Sequence, residues 1–153
     1  MGKRCKVLLT SQQDFKKSPG ILIIDDCPED RETYVRLLTP RQDGALVFAA
    51  EDAEDALTML ESHDIDCILI DYNLPDADGI DLVPAIRNCF SEKEVGIIVI
   101  SGIGNEQVVT EAFKAGADDY LSKSSITRAK IRRAVDEALL KARNRRTMDA
   151  LSH

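Results

Sequence analysis

Short apolar runs alternate with longer amphipathic stretches along most of this 153-residue chain. Runs of four or five apolar residues suit strands buried on both faces of a sheet, whereas apolar positions three or four residues apart suit helices. Their alternation predicts repeated βα units and a parallel sheet. We predict five strands, at residues 21–24, 45–49, 67–70, 96–100 and 120–121.

Five helices are expected to follow the strands. They are predicted from Pro28 to before Pro40, at 53–62, 81–90 and 106–115, and from 125 or 127 to at least 143. Proline fits a first helical turn but not a helix interior, so Pro84 is expected in the first turn of the third helix. Gly116 is expected to end the fourth helix in the left-handed conformation. The side chains expected to face inward are Tyr34, Leu37, Leu38, Ala56, Leu57, Leu60, Val109, Ala112 and Phe113.

The net charge of −7 conceals an uneven distribution. Residues 1–20 hold five basic and one acidic residue, residues 21–127 hold seven and twenty-three, and residues 128–153 hold eight and three. The acidic middle argues against nucleic-acid binding by the main domain. The basic end is interpreted as a solvated helix face, although contact with nucleic acid or another protein stays open.

No apolar stretch approaches the roughly 18 residues of a membrane span, and the first residues do not resemble a secretion signal. We therefore expect a soluble, cytoplasmic protein of one domain. The four cysteines form no CxxC pair, which favours neither zinc nor a disulfide framework. Cys67 is expected in the core. Cys27 is expected in a turn, with a redox-sensitive thiol as the alternative that nearby carboxylates disfavour.

Two of the buried runs end in carboxylates. Asp25 and Asp26 follow the first run, and Asp71 follows the third. If these strands are parallel neighbours, their carboxyl ends share the sheet edge where open α/β folds place their ligands. Three acids so close together repel one another unless a cation lies among them.

Ser101 and Lys123 fall at the ends of the fourth and fifth strands. The acid pair, Asp71 with Asn-Leu-Pro-x-x-Asp-Gly after it, Ser101-Gly102 and the segment 116–123 together resemble a response-regulator receiver domain over residues 21 to about 142. The resemblance implies a doubly wound α/β fold with a five-stranded parallel sheet in the flavodoxin-like order 2-1-3-4-5. Residues 1–20 are then a polar basic leader and residues 143–153 a basic helical tail, which is a candidate linker to a further domain.

The same resemblance implies roles for individual residues. Asp71 would be the phosphoacceptor, since a carboxylate can attack phosphorus and form a mixed anhydride. Mg²⁺, or Mn²⁺, would be held by Asp26 and Asp71 directly, by Asp25 through water and by the backbone carbonyl of Asn73. Lys123 and Ser101 would contact the phosphoryl oxygens.

A switch is implied as well. Ser101 would move toward the phosphoryl group and vacate space for the ring of Tyr120, which changes the face formed by the fourth helix, fifth strand and fifth helix. Gly102 and Asn73 flank the pocket and would tune hydrolysis. As a receiver, the chain would catalyse only its own phosphorylation and dephosphorylation.

The implied partners are a histidine kinase or histidine phosphotransfer protein, an output domain or protein, and a second copy bound through the fifth helix. Ser124 stands where receivers usually have proline after the lysine, so the turn lacks a rigid element. A pseudo-receiver that binds without phosphorylation is the alternative. A phosphatase of the haloacid dehalogenase type needs a second acid two residues after its nucleophile, and both Asp25 and Asp71 lack one.

Overall fold

Five parallel strands form one sheet in this computed structural model, which describes residues 18–89, 95–102 and 104–151. The strands are β1 (Gly20–Ile24), β2 (Leu46–Ala50), β3 (Cys67–Asp71), β4 (Gly96–Ser101) and β5 (Asp119–Ser122). Their order is β2-β1-β3-β4-β5, and every neighbouring pair is parallel. The predicted α/β class and strand order are confirmed.

Within the described residues, five α-helices connect and follow the strands. They are α1 (Pro28–Leu38), α2 (Ala53–Ser62), α3 (Gly79–Cys89), α4 (Glu106–Ala115) and α5 (Arg128–Leu151). A short 3₁₀ turn at Lys123–Ser125 lies between β5 and α5. At 24 residues, α5 is more than twice as long as the other described helices, and it continues past residue 143 as predicted.

The sheet is buried on both faces, which explains why its central strands are apolar throughout. Leu22 and Ile24 of β1 belong to a core shared with α2, α3 and α4. Ile21 and Ile23 point the other way, into a core shared with α1 and α5. Successive strand residues thus serve opposite layers, and the helices wind around both sides of the sheet.

The predicted bounds of α2 and α4 are confirmed, because local capping residues set them. Asp52 accepts a hydrogen bond from the Asp55 amide at 2.7 Å, and Asn105 accepts one from the Val108 amide at 2.9 Å. Gly116 ends α4 with a φ of 117°, in the left-handed region as predicted.

The predicted buried face of α4 is wrong in part. Val108 and Ala112 are buried, whereas Val109 is only half-buried and Phe113 is 47% exposed. Residues four apart share a helix face, so contact through Val108 and Ala112 turns each following residue away from the sheet.

The expected position of Pro84 is also wrong. The carbonyl of Asp78 accepts from the amides of Asp81 and Leu82, so α3 begins at Gly79 and Pro84 falls in its second turn. The helix continues past Pro84 without the one amide hydrogen bond that proline cannot donate.

Helix α5 packs on the sheet along one stripe. Its buried residues are Ile131, Ala134, Val135, Ala138 and Ala142. Beyond this stripe the helix runs on to Leu151, and Met148 and Leu151 are exposed. None of the helices within the described residues combines the length and hydropathy that crossing a membrane requires.

Candidate functional site

The carboxyl ends of the strands bring the predicted acids together. The register pairs Ile24 with Ile70 and Asp71 with Ile100, so β1, β3 and β4 end at the same level. Asp25 is 1% exposed and Asp71 6%, while Asp26 lies at the surface. One oxygen from each of these three carboxylates lies within 4.8 Å of the others.

Lys123 directs its ammonium into this acidic group. Its Nζ lies 2.9 Å from Asp30 Oδ2, 3.1 Å from Asp71 Oδ2 and 3.3 Å from Asp25 Oδ2. Burial alone would lower the pKa of Lys123, but hydrogen bonds to Asp30 and Asp71 and the charge of Asp25 outweigh it and raise that pKa. The lysine is therefore a permanent cation at this edge of the sheet.

Asp25 has the opposite electrostatic environment. Burial raises its pKa to about 6, and the negative charge of Asp71 acts in the same direction. A hydrogen bond of 2.9 Å from the Cys27 amide to Asp25 Oδ1 and the charge of Lys123 oppose the shift only in part. The Asp25 carboxylate is thus under-compensated at neutral pH.

These residues fit a divalent cation. Asp25 Oδ2 is buried and accepts no hydrogen bond from the described residues, although the Lys123 ammonium lies 3.3 Å away. Buried oxygens without donors are unfavourable, and a hard cation satisfies them without a proton. The group of Asp25, Asp26 and Asp71 therefore offers the oxygen ligands that Mg²⁺ or Mn²⁺ prefers.

The loop after β3 folds back on the end of its own strand. The Asn73 amide donates to Asp71 Oδ1 at 3.2 Å, and the Gly79 amide donates to the Tyr72 carbonyl at 2.8 Å. A Cβ on residue 79 would overlap the backbone oxygen of Asp71. Glycine is thus required at 79 because α3 starts directly against the strand that carries Asp71.

Asp76 fixes the far side of this loop to α2, a contact that the sequence analysis missed. Its carboxylate accepts hydrogen bonds from the amides of Ala53 at 3.0 Å and Glu54 at 3.2 Å, at the start of that helix. These bonds lower the pKa of Asp76. An acid opposite helix N-terminal amides is a stable cap, so the loop that follows Asp71 is held at both ends.

Ser101 and Tyr120 lie along the neighbouring strands. Ser101 is fully buried at the end of β4, paired in register with Ser122. Tyr120 is half-buried in β5, and its hydroxyl would be 3.8 Å from a Cβ on Gly104 in the loop after β4. Gly102 is exposed, and a Cβ there would meet open space.

Asp30 is the site residue that sequence reasoning missed. It lies in the first turn of α1 and makes the shortest of the three contacts with Lys123. Arg31, beside it, donates to the backbone carbonyl of Asp25 at 2.7 Å. Pro28 at the helix start was the available signal, because it places Asp30 one turn beyond the acid pair.

The neighbours of Cys27 among the described side chains are acidic. Its Sγ lies 3.3 Å from Glu29 Oε1. A backbone hydrogen bond at Asp30 acts to lower the pKa of the Cys27 thiol, but the Glu29 contact, burial and the Asp30 charge together raise it. The thiolate is disfavoured, as predicted, whereas Cys67 is fully buried in the core.

Comparison with known proteins assigns the family. Residues 21–136 match the family model described as the response regulator receiver domain. The chain belongs to the response regulator receiver family. Receiver domains of this kind occur in response regulators, which are the signalling proteins of two-component systems.

Two curated relatives illustrate the range of proteins that contain similar receivers. The chain is 36% identical over 105 residues to the nitrate/nitrite response regulator protein NarL of Escherichia coli (strain K12), covering 67% of the chain and 47% of that protein. It is 30% identical over 104 residues to the cyclic di-GMP phosphodiesterase response regulator RpfG of Xanthomonas campestris pv. campestris (strain 8004), covering 68% of the chain and 28% of that protein. The chain thus spans about half or less of the length of these two relatives.

Solved structures agree with the fold. The two-component response regulator of the LuxR family from Aurantimonas sp. SI85-9A1 superposes with a TM-score of 0.72 at 30% identity, over 81% of this chain and 86% of that chain. A two-component response regulator from Clostridium difficile gives a TM-score of 0.69 at 28% identity, over 80% and 96%.

Serine at position 124 does not displace the receiver's lysine. Lys123 opens the 3₁₀ turn, Ser125 Oγ donates to the Ser122 carbonyl at 3.4 Å, and the hydroxyls of Ser122 and Ser124 lie 3.0 Å apart. Serine hydroxyls therefore hydrogen-bond within the turn in which proline is usual, and the lysine still reaches Asp71.

Proposed function

We propose that this receiver accepts a phosphoryl group on Asp71 from a phosphohistidine of a histidine kinase or histidine phosphotransfer protein. The observation that carries the proposal is the contact of 3.1 Å between Asp71 Oδ2 and Lys123 Nζ in a largely buried acidic pocket. A carboxylate beside a fixed cation can act as a nucleophile toward phosphorus while the cation offsets charge on the transferred group.

The transfer balances without a further reactant. An Asp71 carboxylate oxygen forms a P–O bond as the P–N bond of the phosphohistidine breaks. The electron pair of that bond returns to the imidazole ring, whose other nitrogen already carries a proton, so neutral imidazole leaves. The Asp71 carboxylate loses its charge in the mixed anhydride, and the Lys123 ammonium turns to the phosphoryl oxygens.

Asp25, Asp26, Asp71 and the backbone carbonyl of Asn73 would hold Mg²⁺ or Mn²⁺. When bound, the cation supplies charge neutralisation between the carboxylates and the phosphoryl oxygens. The residues themselves orient the nucleophile, since Asp71 Oδ1 is held by the Asn73 amide and leaves Oδ2 toward Lys123.

Phosphorylation would be read through Ser101 and Tyr120. The buried Ser101 hydroxyl would donate to a phosphoryl oxygen, and the ring of Tyr120 would move into the space that this shift vacates. The change would bias the surface formed by α4, β5 and α5 toward the form that an output domain or protein binds. The open space at Gly102 leaves water access, which favours hydrolysis of the aspartyl phosphate.

We further propose that the domain is the input module of a larger or hybrid signalling protein, supported by the partial coverage of its relatives. In this arrangement residues 1–20 are a leader, residues 21–142 the receiver, and the basic end of α5 a linker or dimer contact. The cytoplasmic location and the low affinity for nucleic acid stay predictions.

The test is phosphorylation by a small donor. We expect acetyl phosphate with Mg²⁺ to add one phosphoryl group to the wild-type protein, measured by intact mass, and to add none to Asp71→Asn. Chelation of the cation should abolish the gain. Folded wild-type protein that gains no mass under any of these conditions would overturn the proposal and favour the pseudo-receiver.

A further inference from the structure

Asp30 makes the closest contact with the lysine of the site, yet it is no part of the acid group that would hold a cation. Its Oδ2 lies 2.9 Å from Lys123 Nζ, compared with 3.1 Å for Asp71 Oδ2 and 3.3 Å for Asp25 Oδ2. An ammonium has three N–H donors, and three carboxylates surround this one. An N–H donor of Lys123 that bonds to Asp30 is therefore not available to Asp71 or to an incoming phosphoryl group.

Asp30 is more exposed to solvent than the other two carboxylates that contact Lys123. The Asp30 side chain is 37% exposed, while those of Asp25 and Asp71 are nearly fully buried. Asp30 therefore lies at the outer side of the pocket, where an incoming donor first meets the protein. A carboxylate there repels an anionic donor over several ångströms before any bond forms.

The charge balance makes this repulsion matter. Asp25, Asp26, Asp30 and Asp71 supply four carboxylates to the pocket, and Lys123 supplies the ammonium that contacts three of them. The Arg31 guanidinium beside Asp30 is directed to the Asp25 backbone carbonyl at 2.7 Å. Asp30 thus adds a fourth carboxylate to the pocket and to the excess of negative charge that a phosphodonor must approach.

We infer that Asp30 makes this receiver discriminate between phosphodonors by charge, slowing its reaction with dianionic donors relative to donors whose nitrogen leaving group is protonated and positively charged. The inference rests on the proposed phosphorylation of Asp71. It names the substrate class that the pocket favours: N-phosphoryl donors such as phosphohistidine, over acyl phosphates. Asp30 acts through Lys123 and through its charge, and is a positioning residue.

The discriminating experiment compares two small donors on three proteins. Acetyl phosphate is a dianion near neutral pH, while phosphoramidate carries a protonated nitrogen and one less net charge. In either reaction an Asp71 oxygen forms the P–O bond, and acetate or ammonia leaves with the electron pair of the broken bond. The proteins are the wild type, Asp30→Asn, and Glu32→Gln as a matched loss of charge at an exposed position of the same helix.

We expect Asp30→Asn to raise the rate with acetyl phosphate by about three- to tenfold at low salt and saturating Mg²⁺, with a smaller rise for phosphoramidate. The increase should appear in the slope of the phosphorylation rate against phosphodonor concentration. It should become smaller as salt is added. Glu32→Gln should leave the ratio of the two rates unchanged. Asp30→Glu, which keeps the charge, should behave like the wild type.

A second readout needs no donor. Because the Asp30 charge also attracts a cation, Asp30→Asn should weaken Mg²⁺ binding by about two- to fivefold in calorimetric titration, whereas Glu32→Gln should not. Thermal melts followed by circular dichroism establish that each variant is folded. A purely structural role for Asp30 would lower the melting temperature but leave the ratio of donor rates unchanged.

The outcomes separate the two proposals. An unchanged ratio in folded Asp30→Asn, with the wild type phosphorylated by both donors, overturns the role of Asp30 and leaves the proposed function standing. Wild-type protein that neither donor phosphorylates overturns the proposed function, and the inference about Asp30 with it.

Discussion

The two edges of the sheet each carry a cluster of ion pairs, but with opposite charge balance. At the carboxyl edge, the Lys123 ammonium contacts three carboxylates, those of Asp25, Asp30 and Asp71. At the amino edge, the Asp118 carboxylate contacts two guanidiniums, with Arg87 Nη2 at 3.0 Å and Arg145 Nη1 at 2.7 Å. One edge has acceptors in excess, and the other has donors in excess.

Most of the surplus donors at the amino edge have other partners, although the buried Nε of Arg145 has none among the described residues. Arg87 donates to the carbonyls of Gly116 and Val95, and Arg145 also donates to the Val95 carbonyl. The Ile97 amide donates to Asp118 as well. Backbone carbonyls accept most of the remaining N–H donors, so this cluster joins α3, β4, β5 and α5 through protein contacts.

At the carboxyl edge, the described residues do not supply enough hydrogen-bond donors for the surplus acceptors. Asp25 Oδ2 is buried without a hydrogen bond, and the pKa of Asp25 is raised to about 6, chiefly by burial. The two clusters of ion pairs therefore have different roles. The balanced edge stabilises the fold, and the unbalanced edge is suited to recruiting a cation and an anionic group.

The largest expected effect comes from breaking the balanced edge. Asp118→Ala leaves two largely buried guanidiniums facing each other without their carboxylate, and should lower the free energy of unfolding by about 3 kcal/mol. Chemical denaturation measures the loss. Phosphorylation of Asp71 should persist in the folded fraction. Glu32→Ala, an exposed acid paired with Arg36 at 3.9 Å, is the control and should cost less than about 0.5 kcal/mol.

A loss for Asp118→Ala no larger than that for Glu32→Ala would show that the amino edge is not a stabilising cluster. The contrast between the two edges would then fail.

Removing an acid from the unbalanced carboxyl edge should raise the free energy of unfolding, whereas Asp118→Ala should lower it. Asp25→Asn keeps an acceptor for the Cys27 amide but removes a buried charge, and should raise stability by about 2 kcal/mol near pH 7 without divalent cations. The folded-state pKa of Asp25 is raised from 3.8 to about 6, so this residue's contribution to stability is complete below about pH 4 and is lost as the pH rises through about 6.

Denaturation of the two proteins across this range measures the difference directly. We expect their free energies of unfolding to coincide below about pH 4 and to diverge up to pH 7. A difference that does not vary with pH would contradict the assigned environment of Asp25.

Cation binding should compensate the unbalanced edge and leave the balanced one unaffected. Mg²⁺ at ten times its Kd should stabilise the wild type by about 1.4 kcal/mol, because it binds the folded state alone. Asp26→Asn, at the exposed acid of the group, should lose most of this stabilisation, whereas Asp118→Ala should retain it. Melting with and without Mg²⁺ measures both. Equal stabilisation of Asp26→Asn and wild type would place the cation elsewhere.

The smallest expected effect comes from an uncharged change at the carboxyl edge. The Tyr72 hydroxyl donates to Glu111 Oε1 at 3.2 Å, linking the loop after Asp71 to α4. Tyr72→Phe should cost about 0.5 kcal/mol of stability and leave Mg²⁺ affinity unchanged. A large change in Mg²⁺ affinity, measured by calorimetry, would mean that loop geometry and not charge balance governs the site.

Much of the fold could be predicted from the sequence because its determinants are local. Residue 53 begins α2 after a capping aspartate, residue 106 begins α4 after a capping asparagine, and Gly116 ends α4. The bounds of β2 were wrong by one residue because this edge strand is only partly buried and its pattern is ambiguous.

The rest depended on contacts across the fold. The buried face of α4 follows from where the helix meets the sheet, which its own periodicity leaves open between Val108 and Val109. The acids at 25, 26 and 71 could be grouped because each follows a strand. Pro28 places Asp30 in the helical turn beyond the acid pair, but the contact of Asp30 with Lys123 spans 93 residues of sequence and depends on the whole fold.

The most direct test of the central claim is to identify the residue that carries the phosphoryl group. Borohydride reduces an aspartyl phosphate to homoserine, and peptide mass spectrometry of protein treated with acetyl phosphate, Mg²⁺ and then borohydride locates that change. Our account predicts homoserine at position 71 and none at 25, 26 or 30. Homoserine at one of those three positions, or at none of the four in folded protein, would contradict it.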